Sequence, residues 1–416
     1  MKRNYFLVGF IFLIFFIISF LTNIIGPLIP NIIKSFHLSL GLAGFLPFSF
    51  FIAYGIMSIP AGILVEKYGE KKVMLLSFFS AAIGAFSFAL FPFFLNALFS
   101  LLFIGIGMAM LQVAINPLLR VVGSEEHFAF NSVFAQLVFG SASYVSPLVY
   151  SYLVVNLSSQ TSTSNWVLKI LSQTTAANLP WVSLYWIFGL VTVLMLVIIG
   201  IIRLPRVKLA ESEKIGALET HRKLLSNKYV WLFFFGIFSY VATEQGLADW
   251  ISKFLFDYHG FDAQTTGAKV VSYFWGLLTV GCLLGMFLLK IVDSRKVLII
   301  FVLAAIVCVS FGLLGSAQVA LWAFPSAGFF LSVMWSVVIS LALNSLENHH
   351  GTFSGILCTG IVGGAIVPLL IGYLGDFIGL RYSMMILYLT LGYLLSIGFW
   401  ARPIISNATF SLKRKK

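Results

Sequence analysis

The sequence predicts an all-α membrane protein of about twelve transmembrane helices, built as two related six-helix bundles. Three observations predict this class: the composition, the number of long apolar stretches, and an internal repeat. Of the 416 residues, 60% are hydrophobic and 10% are charged, and the mean hydropathy is +1.01. A soluble domain is roughly 45–50% apolar and about 25% charged. Hydrocarbon must therefore surround most of this molecule.

The apolar stretches give the number of spans. A spanning helix needs roughly 20 mostly apolar residues, and a helix satisfies every backbone polar group inside the bilayer. The first stretch is too long for a signal peptide and lacks a small-residue cleavage site, so we expect it to span the membrane. Stretches of this kind occupy 5–33, 41–65, 73–93, 96–119, 128–155, 180–203, 229–256, 267–290, 297–316, 318–345, 352–375 and 382–402.

The basic residues predict the orientation. With both termini in the cytoplasm, all but five of the 26 Lys and Arg residues fall on the cytoplasmic side, as the positive-inside rule expects. The net charge of +12 is explained by topology, with membrane lipid as the partner and no nucleic acid. We expect a multi-pass protein of a cell membrane, the inner membrane of a bacterium. The five residues outside are Lys34, Lys169, Lys253, Lys269 and Arg381.

The longest charged segment, 204–228, separates span six from span seven. It predicts a cytoplasmic linker between an N-terminal bundle, 1–203, and a C-terminal bundle, 229–416, with a basic tail. The segment 156–179 is rich in Ser, Thr and Asn, which favours an exposed outer loop. We expect the chain to act as a monomer.

An internal repeat relates the two bundles. The segment 147–153 matches 368–374 at an offset of 221 residues, and Gly62 matches Gly285 at an offset of 223. Chance similarity between apolar helices is the alternative to duplication. Transporters with parallel repeats bind their substrate near the middle of the bilayer, between the halves.

A short motif follows span two: Gly62, Glu66, Lys67, Gly69 and Lys72. It resembles the loop signature of the major facilitator superfamily, with Glu66 where the family usually has Asp. The resemblance implies a role in gating and topology.

A narrower resemblance covers nearly the whole chain. Gln112 to Pro117 in span four, Phe130 to Gln136 entering span five, and Ile361 to Tyr373 in span eleven are similar to the fucose/galactose/glucose–proton symporter branch of that superfamily. It implies the major facilitator fold and import of a hexose or deoxyhexose. The branch commonly carries an acid in span one where this chain has Gly26. Coupling to a proton, coupling to sodium and uncoupled diffusion therefore all stay open.

Two carboxyl groups lie well inside a span, Glu244 and Asp249 in span seven. Ionisable residues at bilayer depth are costly and mark ion or substrate pathways by default. Each is a candidate for cation coupling, because a carboxyl can carry a proton or coordinate a cation. A structural hydrogen bond to a neighbouring helix is the alternative.

Side-chain amides are candidates for substrate contact, because they both donate and accept hydrogen bonds, as sugar hydroxyls do. Gln112 and Asn116 share one face of span four, four residues apart. Amides also bond membrane helices to each other, which is the alternative. The other candidates are Asn23, Asn131 and Gln136.

Trp275 and Trp335 lie within spans and are candidate platforms for the apolar face of a sugar, with anchoring at the membrane interface as the alternative. The sequence has no phosphate-binding loop, nucleophile elbow or metal-spaced cluster. We therefore expect no enzyme activity, no metal and no cofactor beyond a co-transported proton or sodium ion. A proton-antiporting exporter of small amphipathic compounds and a transporter-derived receptor are further alternatives.

Overall fold

The computed structural model describes residues 5–123, 128–158, 165–205, 218–346 and 350–402. It confirms the predicted all-α class, since these residues form twelve helices long and apolar enough to cross a membrane. The basic tail and most of the predicted linker lie outside the described residues. The spanning helices are α1 Tyr5–Phe36, α2 Leu40–Tyr68, α3 Glu70–Leu90, α4 Phe94–Gly123, α5 Asn131–Ser158, α6 Pro180–Ile201, α7 Lys228–Ala248, α8 Ala263–Ile291, α9 Ser294–Leu314, α10 Ala317–Leu343, α11 Thr352–Ile378 and α12 Leu380–Trp400.

Two tight junctions between spans depend on glycine. Gly69 joins α2 to α3 with φ 82°, and Gly379 joins α11 to α12 with φ 81°. A side chain is strained in that region, so glycine allows the next helix to begin at once. The turn between α3 and α4 is held by Asn96, whose Nδ2 donates to the carbonyl oxygens of Ser87 and Phe91 at 2.8 Å each.

Several spans are interrupted near mid-membrane. α1 breaks after Thr22 and resumes at Ile25. α7 ends at Ala248 and is followed by the helix Ile251–His259. The two interruptions lie at similar positions in the first span of each half, where Gly26 of α1 approaches the Ala248 oxygen of α7. In transporters such discontinuous helices line substrate and ion sites.

The described part of the segment 156–179 is not only an exposed loop. It contains the helix Trp166–Thr174, whose first turn is capped by Asn165 accepting from the Val167 amide at 2.9 Å. Leu168 and Leu171 are buried, so this helix packs on the end of the bundle. The spacing of three residues between these two leucines is typical of a helix and could have predicted this one from the sequence.

The first six spans pack against one another, and so do the second six. The two halves meet where α2 packs on α11 and α5 packs on α8. Close approach requires glycine at Gly26, since a Cβ there would lie 2.1 Å from the Ala248 oxygen. Gly44 likewise lies against the backbone of Leu369. We call the face at which α6 ends and α7 begins the terminal face, and the other one the opposite face.

Candidate functional site

A cavity of about 240 Å³ lies between the two halves. Its wall comes from α1, α2, α4 and α5 in the first half and from α7, α8, α10 and α11 in the second. The lining residues of α5 span 133–143 and those of α8 span 275–289, which are the parts of these helices nearer the terminal face. The cavity therefore extends from mid-membrane toward the terminal face.

At the opposite face the halves are bonded to each other. The Asp376 carboxylate, near the end of α11, accepts from the Leu40 amide at 2.8 Å and from the Gly41 amide at 2.9 Å. These amides begin α2 and have no partner within that helix, so a carboxylate satisfies them and complements the helix dipole. Asp376 therefore holds the start of α2, from the other half, in place.

A second link across the halves lies at the same face. The Asn31 side chain in α1 donates to the Tyr150 hydroxyl in α5. Its oxygen accepts from Gln264 Nε2 in α8 at 2.8 Å. One amide thus joins three helices, and the protein is closed at the opposite face.

The carboxyl of the cavity is Glu244. The Tyr240 hydroxyl, one turn earlier on α7, donates to Glu244 Oε1 at 2.5 Å. The Tyr240 ring lies against the Trp335 ring from α10, with centroids 5.9 Å apart. All three residues line the cavity. The second half thus supplies one acidic group beside an aromatic wall.

The first half supplies side-chain amides. Asn23 Nδ2 donates to Ser143 Oγ at 2.8 Å, which fixes the side chain between α1 and α5. Its oxygen has no partner among the described residues, so it is available to a ligand hydroxyl. Gln112 and Gln136 also line the cavity, and within the described part of the chain neither side-chain amide is hydrogen-bonded.

Trp275 combines an apolar face with an unused donor. Its side chain is 3% exposed and lines the cavity, and its Nε1 is buried without a hydrogen-bond partner among the described residues. A buried N–H without a partner costs free energy unless a ligand accepts from it. The arrangement suits a hydroxylated ligand placed against the indole.

Three predicted residues lie away from the cavity wall. Asn116 is exposed, and its Nδ2 donates to the Gln112 carbonyl oxygen of its own helix at 3.1 Å. Asn131 is fully buried and donates to the Gly123 carbonyl oxygen at 3.2 Å, which ties α5 to the end of α4. Asp249 is buried beyond the cavity, toward the opposite face.

The signature loop lies at the terminal face. Glu66, Lys67 and Lys72 are exposed, and Lys67 Nζ lies 5.2 Å from the centroid of the Tyr68 ring. The neighbouring Lys71 bonds to another span: its Nζ donates to the carbonyl oxygens of Gly200 and Ile202 at 2.9 and 2.8 Å. Lys71 therefore caps the end of α6. Gly62 is buried in α2.

Gln245, which lines the cavity next to Glu244, is not among the residues predicted from the sequence. Neither is Asp376, although the sequence carries a signal for it. Asp376, Gly379 and Arg381 repeat the spacing of Glu66, Gly69 and Lys71 in the loop between α2 and α3. The two glycines share one backbone conformation, φ 82° with ψ 160° and φ 81° with ψ 152°.

Comparisons with known proteins agree with this architecture. Residues 11–367 match the family model described as Major Facilitator Superfamily. A glucose/galactose transporter of Brucella abortus is 30% identical over 410 residues, covering 95% of this chain and 94% of that protein. The L-fucose-proton symporter of Escherichia coli is 25% identical over 383 residues, covering 88% and 86%. Among solved structures, the E. coli fucose:proton symporter FucP superposes with a TM-score of 0.68 at 20% identity, covering 96% of this chain and 100% of that one.

Proposed function

The chain belongs to the major facilitator superfamily, and from this we propose that it imports a monosaccharide, a hexose or deoxyhexose, by symport with a proton or sodium ion. It is a multi-pass membrane transporter and not an enzyme. The observation that carries the proposal is the cavity between the halves, with amides on one side and a carboxyl beside aromatic rings on the other.

The size and chemistry of the cavity support a small polyhydroxylated substrate. Pockets for drug-sized ligands measure roughly 300–1,000 Å³, and this cavity of about 240 Å³ suits a smaller solute. Asn23, Gln112 and Gln136 offer donors and acceptors to hydroxyl groups, and Trp275 offers both an apolar face and an N–H. The names of the similar transporters, for glucose/galactose and L-fucose, support the same substrate class.

Glu244 is the proposed coupling residue. Among the described residues that line the cavity it is the one carboxyl group, and its neighbour Tyr240 donates to one oxygen. The other oxygen can bind a proton or contribute to binding a cation. Because the positive-inside pattern supports a cytoplasmic terminal face, the closed opposite face corresponds to a state that releases substrate inward, one half of an alternating-access cycle.

The test is uptake of labelled glucose, galactose and fucose into proteoliposomes under an imposed proton gradient, a sodium gradient, or neither. We expect accumulation above equilibrium under one gradient. In Glu244→Gln the accumulation should be at least tenfold lower, because the Gln side chain cannot bind or release a proton. Counterflow exchange should be retained, because Gln fills the same space as Glu. Asp257→Asn is the matched control, because Asp257 lies outside the cavity and pairs with Lys253 at 2.5 Å.

The alternatives predict different outcomes. Equilibration without accumulation would point to an uncoupled facilitator. If no sugar moved under any gradient, the sugar proposal would be refuted, and efflux of amphipathic compounds would be measured next. Accumulation retained in Glu244→Gln would refute the coupling role of Glu244 alone.

A further inference from the structure

Asp249 lies where α7 and α1 cross at the boundary between the halves. It follows the last residue of α7, and its side chain is 2% exposed. A Cβ on Gly26 would meet the Ala248 oxygen at 2.1 Å and the Asp249 Cα at 3.0 Å. The backbone at Asp249 thus lies against the other half, and its side chain is buried on the side of the cavity toward the closed opposite face.

The carboxyl of Asp249 has no hydrogen-bond partner among the described residues, and its Oδ2 is fully buried. Burying an ionised carboxylate without a donor or a counter-charge costs far more free energy than burying a neutral carboxylic acid. The closed state is therefore compatible with a protonated Asp249 and strongly disfavours an ionised one.

Several charged groups lie on the elements around Asp249. Within the described ranges none of them is hydrogen-bonded or ion-paired with the Asp249 carboxyl, and the buried Nε of Arg381 has no hydrogen-bond partner there at all. Lys34 is exposed, Lys253 pairs with Asp257, Asp262 accepts from the Gln264 and Thr265 amides, Asp376 accepts from the start of α2, Arg381 lies over the Tyr258 ring, and Glu244 accepts from Tyr240. His259, at the far end of the α7 extension, lies against Phe254 and Phe261.

We propose that Asp249 is the proton-binding site of the gate at the opposite face. Its carboxylate takes a proton from the outer solution when the halves separate there, forming an O–H bond. It keeps that proton while Gly26 and Ala248 are in contact. Protonation is thus a condition for the gate to close, a role distinct from that of Glu244, which faces the cavity. The inference rests on the proposed cation-coupled import.

The test needs no sugar. Spin labels are placed at the opposite face on Lys34→Cys in the first half and Phe256→Cys in the second, both exposed positions, with Cys282, Cys308 and Cys358 replaced by Ala. Pulsed electron resonance of the protein in lipid nanodiscs then gives the ratio of open to closed gates from pH 5 to pH 9.

A single titrating group changes this ratio by at most tenfold per pH unit. Because the proton belongs to the closed state, we expect the wild-type gate to be closed at low pH. The ratio of open to closed gates should rise by up to about tenfold per pH unit through the transition. Asp249→Asn should stay closed, with less than a twofold change across the range. Asp257→Asn should behave as the wild type, and Asp249→Glu should retain the response with a shifted midpoint.

A pH response retained in Asp249→Asn, or absent from the wild type, would overturn the proposal. So would a gate that responds to sodium at constant pH. If Asp249→Asn does not fold, the midpoint of Asp249→Glu decides, since an unshifted midpoint excludes Asp249. If the wild-type protein moves no sugar but its gate still responds to pH, the proposed substrate is refuted and the proposed role of Asp249 is not.

Discussion

Removing the carboxylate of Asp376 should open the face that is closed in this structure. Asp376 belongs to α11, while the amides it binds, those of Leu40 and Gly41, begin α2 in the other half. Asp376→Ala removes both acceptors and the negative charge beside the helix start. Every other described contact of the two halves is left in place.

The size of the effect follows from the exposure of the two bonds. A hydrogen bond to a charged group contributes about 1.5–3 kcal/mol when shielded, but Asp376 is exposed and water competes for it. Loss of a capping side chain at a helix start costs about 0.5–2 kcal/mol. We therefore expect Asp376→Ala to destabilise the closed state by about 1.5 kcal/mol, which shifts the ratio of open to closed gates about tenfold.

The assay is the distance between labels on Lys34→Cys and Phe256→Cys, with Asp376→Asn and Asp257→Ala as controls. Asp376→Asn keeps one acceptor oxygen and should give a smaller shift than Asp376→Ala. Asp257→Ala breaks an ion pair within one helix and should give none. An unchanged distance distribution in Asp376→Ala, in a protein that is folded by size-exclusion chromatography, would refute the reasoning.

Two further predictions concern α1 and the cavity. Gly26→Ala would place a Cβ 2.1 Å from the Ala248 oxygen, so we expect the gate to stay open. The uptake rate should then fall more than tenfold, and uptake at the wild-type rate would contradict this. Trp275→Phe keeps the aromatic face but loses the unpartnered N–H. We expect KM for the transported sugar to rise about fivefold, because one hydrogen bond of about 1 kcal/mol is lost. An unchanged KM in uptake assays would show that the Trp275 N–H does not contact the sugar.

The sequence was enough to predict the positions of the spans, because the bilayer imposes a length and a composition that each segment must meet by itself. It was not enough to predict the roles of the polar residues inside the spans. Asn23 and Asn131 are both amides within apolar helices, but Asn23 lines the cavity while Asn131 bonds α5 to α4. The difference depends on helix rotation and on the neighbouring helix, which hydropathy does not encode.

The same limit explains the gate residues. Asn31 and Asp376 stand near the ends of apolar stretches, where polar residues usually face water. Their roles depend on contacts with residues more than 200 positions away, Gln264 for Asn31 and Leu40 for Asp376. The close approach of α1 to the backbone at Ala248 and Asp249 likewise depends on Gly26, and this contact becomes evident only when α1 and α7 are placed together.

The repeated spacing of acid, glycine and base suggests why one chain can close at either face. Glu66, Gly69 and Lys71 lie at the junction of α2 with α3 at the terminal face, and Asp376, Gly379 and Arg381 lie at the junction of α11 with α12 at the opposite face. α2 and α11 pack along each other across the boundary between the halves. In this structure Asp376 holds the start of α2, and the cavity extends toward the terminal face. In the proposed alternating-access cycle, contact is lost at one end of this helix pair and gained at the other. The repeat gives Glu66 at the terminal face the same place in its helix as Asp376 at the opposite face. A closed face held by one exposed carboxylate-to-helix contact of about 1.5 kcal/mol leaves the two states close enough in free energy for a bound substrate and a proton to decide between them.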